Sequence, residues 1–65
     1  MEDYQIRVVE EKRELDAKLE KLNVFLGTDL CKKLDLAEII NLSRQSVAME
    51  MYSKVLEERI KHFAP

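Results

Sequence analysis

The segment LGTDLCKKLDLAEIINL, residues 26–42, decides how this chain folds. Gly27 closes a helical pattern, and a residue without a Cβ takes the left-handed conformation that ends helices easily. Thr28 or Asp29 then suits an N-cap, and TDLCKKL holds about one and a half turns of helix-forming residues, a short connecting helix. Asp35 with Glu38 three residues later spells a capping box, and Leu34 and Ile39 bracket it as a hydrophobic staple. A long helix must therefore begin near residue 36 and another must end near 26. The pattern predicts a hairpin.

Working back from Leu26, one apolar stripe runs through Leu22, Leu19, Leu15 and Val8 in steps of three and four, as one helix face requires. Lys12 and Gln5 occupy the same face. Working forward, Ile39, Leu42, Ser46, Met49, Ser53, Leu56, Ile60 and Phe63 keep the same alternation, the seam of helices crossing at a shallow angle. The expected fold class is all-α: an antiparallel hairpin with helix 1 at 3–26, a connector at 27–35 and helix 2 at 36–63, forming one domain over 1–65. Leu26 then faces Ile39, Lys12 lies near Ser53, and Leu15 and Leu19 fill the space beside the small seam residues Ser46 and Ser53.

A second stripe on helix 2, Ile40, Val47, Met51 and Val55 with Ala48 beside it, has no partner inside a hairpin. Helix 1 adds Ile6 and Val9. A 65-residue chain buries little surface alone, so these residues predict a homo-oligomeric helical bundle with Ile40, Val47, Met51 and Val55 at the interface.

Composition narrows the function. Hydrophobic residues make up 46% and charged residues 37%, with one Gly, one Pro and no Trp, the profile of a long-helix protein. A net charge of −2 argues against duplex nucleic acid, which demands a concentrated basic face. No apolar run approaches a membrane span, and MEDYQ is unlike a signal peptide, which predicts a cytoplasmic protein without membrane contact. Cys31 stands alone, so neither a disulfide nor a zinc site is expected within one chain, and the cysteine reads as a small packed hydrophobe. No nucleophile constellation, paired catalytic carboxylates or Gly-rich phosphate loop occurs. The expectation is a non-enzyme with no catalytic residue, metal or cofactor.

What remains is binding. Lys12 has two uses in the seam: to snorkel toward Glu57 or solvent while fixing helix register, or to present its charge to a phosphate. Tyr4, Gln5 and Arg7 lie within two turns of it, and an oligomer brings Arg44, Gln45 and Tyr52 from another chain, giving a cationic, aromatic-edged pocket. Tyr4 and Tyr52 also read as boundary packing residues. His62 sits in the last turn, where a cation complements the helix dipole.

The segments YQIRVVEEKRELDAKLEKL and NLSRQSVAMEMYSKVLEERI carry a Gln-x-Arg-Val opening, an Arg-Gln pair and a Met-x-x-Tyr-Ser-x-x-Leu stretch. In these the chain resembles small helical proteins of tailed phages and prophages, a likeness that implies kinship and not an activity. In size, hairpin layout and an early Tyr and Lys it is also similar to phage sponges that oligomerise and sequester the cyclic nucleotide signals of CBASS and Thoeris defence. That similarity of architecture carries over no binding residue; it implies a cyclic nucleotide as partner, beside the chain itself, in the host bacterial cytosol. Two readings stand: a sponge for nucleotide signals, and a helical interaction or assembly protein without a small ligand.

Overall fold

The structure, a computed structural model, describes residues 1–63. Three helices follow in order: α1, Asp3–Leu26; α2, Asp29–Lys32; and α3, Leu36–Lys61. Helix α3 ends at Lys61 and not at residue 63. The N–H groups of His62 and Phe63 reach back only three residues, to the carbonyls of Arg59 (3.1 Å) and Ile60 (3.0 Å), and this tightening closes the last turn.

The two long helices are antiparallel, as contacts along the seam show. Tyr4 meets Phe63, Lys12 and Asp16 meet Ser53, and Asn23 meets Ser46, so the α3 partner recedes as α1 advances. The result is a rod about 49 Å long and 14 Å across.

Its ends are capped differently from what the sequence suggests. At the start of α1, the Glu2 N–H donates to Oε1 of Gln5 at 2.9 Å, the Gln5 half of a capping box, and the Gln5 N–H donates to the Glu2 main-chain carbonyl at 3.0 Å. At Gly27, φ and ψ are −89° and 2°, so the expected left-handed turn is absent. Thr28 explains why: its Oγ1 donates to the Phe25 carbonyl at 2.6 Å and accepts from the Cys31 N–H at 3.2 Å. One hydroxyl thereby satisfies a terminal carbonyl of α1 and caps α2. Asp35 occupies the N-cap of α3, but its carboxylate makes no capping bond, contrary to the expected box. Only its main-chain carbonyl serves, accepting from the Ile39 N–H at 3.1 Å.

The core is thin. Among the described residues only Val8, Cys31, Ser53 and Leu56 are buried, Leu56 completely. Leu15, Leu19, Leu22, Leu26, Ile39, Leu42, Met49 and Ile60 lie along the seam half-buried, because two helices alone wrap a side chain on one side only. Ser46 and Ser53 are more than small residues. Each makes a hydrogen bond across the seam, and these polar layers stand one heptad apart.

Candidate functional site

The polar layer at Lys12 answers what a lysine does on an apolar face. Its ammonium donates to Oδ2 of Asp16 at 2.7 Å and to Oγ of Ser53 at 2.9 Å, while the Ser53 hydroxyl donates to Oδ1 of Asp16. The lysine pairs with Asp16 one turn away and with Ser53 directly across, and not with Glu57. These bonds hold the Asp16 carboxyl below the usual carboxylate range, first through the Lys12 hydrogen bond and then through Ser53. The second layer is simpler: Ser46 Oγ donates to Asn23 Oδ1 at 2.5 Å. No buried side-chain polar atom among the described residues lacks a partner. Layers of this kind fix register, since sliding α3 by one turn would take Ser53 from Lys12 and Asp16 and Ser46 from Asn23.

The open end of the hairpin holds a different arrangement. Tyr4, at the start of α1, and Phe63, just past α3, meet edge to face, with ring centroids 5.8 Å apart and planes at 81°. Beside them is a groove of about 670 Å³ lined by Tyr4, Lys54, Val55, Glu58, Arg59, His62 and Phe63. Nδ1 of His62 lies 2.7 Å from the Glu58 carbonyl oxygen. A carbonyl only accepts, so Nδ1 carries the hydrogen and Nε2 is left for another partner. The Glu58 carboxylate is 3.4 Å from the Lys61 ammonium and Lys54 is 3.8 Å from Glu50, whereas Arg59 forms no ion pair among the described residues. The groove thus combines an aromatic and aliphatic floor with a guanidinium that has no ion pair among the described residues.

Of the residues singled out from sequence, the structure brings Tyr4 to this groove. Gln5 is engaged in the α1 cap and Lys12 in the seam. Arg7, Arg44, Gln45 and Tyr52 are exposed. Arg44 and Gln45 sit about 11–12 Å back along α3 from Tyr52, by the rise of a helix, so one chain does not gather them. Ile40, Val47, Met51 and Val55 are exposed by 50%, 59%, 64% and 57%, leaving their stripe uncovered. Sequence reasoning missed Lys54, Arg59 and Phe63, and took His62 for a dipole partner alone. The signal was present in the register: continuing the Lys12–Ser53 pairing to the helix ends carries Tyr4 to the last turn of α3.

The Sequestin family description matches residues 2–62, and so covers both long helices, the connector and all of the groove except Phe63. The chain belongs to the Sequestin family. The family name denotes capture, which supports a sequestering, binding protein. No curated protein and no solved structure matches the chain. Among the described residues of this Sequestin, no group of three or more His, Cys, Asp or Glu is placed to hold a metal ion. None of its described helices is long and apolar enough to cross a membrane.

Proposed function

We propose that this Sequestin is a phage-encoded, homo-oligomeric sponge that sequesters a cyclic nucleotide signal of bacterial anti-phage defence in the host cytosol. The observation that carries the reading is the uncovered stripe of α3 on a chain whose family name denotes sequestration. The hairpin exposes 5224 Å², about 900 Å² more than the roughly 4,300 Å² expected of a compact monomer of its mass. That excess matches the roughly 800 Å² each partner contributes to a standard protein interface.

Arg44 falls on the same face as Ile40 and Val47, in the middle of the stripe. Parallel association would set the two Arg44 side chains against each other. An antiparallel pairing about Ala48 instead places Ile40 against Val55 of the partner and Arg44 beside the partner's Met51 and Tyr52. The methyl of Ala48 allows the helices to approach closely. In that arrangement the exposed Arg44 and Gln45 of one copy join Tyr52 of the other, a cationic and aromatic surface suited to phosphate and base. Tyr4 and Arg7 remain open at the hairpin's end, whereas Gln5 and Lys12 contribute mainly to capping and register.

The test combines size and binding. Light scattering at micromolar concentration should give a multiple of the 7.7 kDa chain mass. Val47→Glu should dissociate the assembly, because an unpaired charge in a dry interface costs several kcal/mol. A panel of cyclic di- and trinucleotides and cyclic ADP-ribose isomers should contain a ligand that raises the melting temperature by mass action. An oligomer that no panel member stabilises would support the helical assembly reading instead.

A further inference from the structure

We propose that the groove at the open end of the hairpin is the nucleotide-binding site, with the Tyr4–Phe63 pair taking a base, Arg59 taking a phosphate, and Nε2 of His62 accepting from a ligand hydroxyl or N–H. This rests on the sequestering reading and places capture in the groove and not on the Arg44, Gln45 and Tyr52 surface.

Four observations converge on the groove. Its volume, about 670 Å³, falls within the range of roughly 300–1,000 Å³ typical of small-molecule sites. Its floor contains two aromatic rings, and Tyr4 is 52% exposed, so ring surface is available for stacking on a base, an interaction every base can make. Cations surround that floor. Arg59 has no ion pair among the described residues, and its planar fork of N–H donors suits two phosphate oxygens at once. Because Nδ1 of His62 donates to the Glu58 carbonyl, Nε2 of the neutral ring is left to accept from a ribose hydroxyl or a base N–H of the ligand. The one carboxylate lining the groove, Glu58, is offset by Lys61 at 3.4 Å, which reduces its repulsion of an anion.

The fourth observation links the site to association. Val55 lines the groove and is also the last residue of the uncovered stripe on α3. A second copy seated on that stripe reaches the groove's edge, so oligomerisation would wall a cleft that one hairpin leaves open. Ligand and assembly should therefore stabilise each other.

Isothermal titration of the full chain with cyclic di-AMP, cyclic GMP-AMP and cyclic ADP-ribose tests the site. Arg59→Gln and Phe63→Leu should each weaken the observed binding by about 10–150-fold for the arginine, the scale of a charge-assisted hydrogen bond, and by a similar order for the ring. Lys18→Gln, an equal charge change on an exposed residue far from the groove, should leave affinity within twofold. Arg59 is exposed, so Arg59→Gln reads binding even if Phe63→Leu loosens the helix end. Circular dichroism and light scattering should show an unchanged fold and mass for Arg59→Gln. If the parent binds a probe and both groove variants bind it within twofold, the site is elsewhere and the sequestering reading survives. If the parent binds neither these three nor any other member of the panel, both fall together.

Discussion

Replacing Lys12 with leucine separates a register lysine from one the fold depends upon. Lys12 is 23% exposed, and its ammonium holds Asp16 at 2.7 Å and Ser53 at 2.9 Å. The ion pair spans adjacent turns with the lysine on the N-terminal side, the weaker orientation, and its carboxylate is 45% exposed to screening water. Losing it should cost about 0.3–0.5 kcal/mol. Losing the bond to Ser53 should cost about 1 kcal/mol more, but the Ser53 hydroxyl still donates to Asp16, so no buried group is orphaned. In return, a leucine in a largely covered seam position gains part of the roughly 1.5–3 kcal/mol of a buried leucine, since the lysine stem already covers some of that surface. The terms cancel to within about 1 kcal/mol, a melting shift of no more than about 4–8 °C for a domain of this size. Thermal and urea denaturation followed by circular dichroism, at one fixed protein concentration, measures it. A fall of more than about 15 °C would refute the reasoning, because the polar layer and not the apolar seam would then hold the helices together.

The helix ends and the seam give three further expectations. Gly27→Ala should be neutral or stabilising by about 0.4–1 kcal/mol, because φ is negative and an added Cβ would meet only the Val24 carbonyl at 3.6 Å; a clear loss in melting would restore the left-handed turn. Thr28→Ala should cost about 1 kcal/mol while Asp35→Ala costs far less, since of the two only Thr28 makes side-chain capping bonds; equal losses in urea titrations would contradict that assignment. The depressed pKa of Asp16 makes its ionised form a native-state stabiliser whose contribution is present above the ordinary carboxylate pKa of about 4 and is lost as pH falls through the lower folded value. With a half-exposed carboxylate that contribution should stay below about 1 kcal/mol, and Asp16→Asn should flatten the acid limb of the stability profile, whereas an unchanged limb would assign the acid sensitivity to other groups.

The hairpin was legible because two period-3.6 stripes flank a segment rich in stop and start residues. Tertiary packing then needs only to bring two apolar faces together. Local chemistry at the helix ends was less legible, since several residues there compete for the same orphan groups. Thr28, Gly27 and Asp35 were all suited to their roles by type, and the Thr28 hydroxyl, able to donate and accept at once, took over the termination expected of Gly27. Seam serines read as small; their hydrogen-bonding capacity outweighed their volume once Asp16 and Asn23 stood opposite. The candidate site was legible only at Tyr4. Arg59, His62 and Phe63 lie at the end of α3, where a helical wheel shows which face a residue occupies but not that the chain turns after Lys61 and brings a ring against Tyr4.

Capture without turnover is most directly tested by recovering the ligand. The protein should be loaded with each cyclic nucleotide and cyclic ADP-ribose isomer of the panel, freed of unbound material by filtration, heat-denatured, and the released solute analysed by mass spectrometry. Sequestration predicts that at least one panel member is retained in fixed proportion to the chain and returns chemically unchanged. Retention of none of them, or return of a hydrolysed or linearised product, would contradict the account.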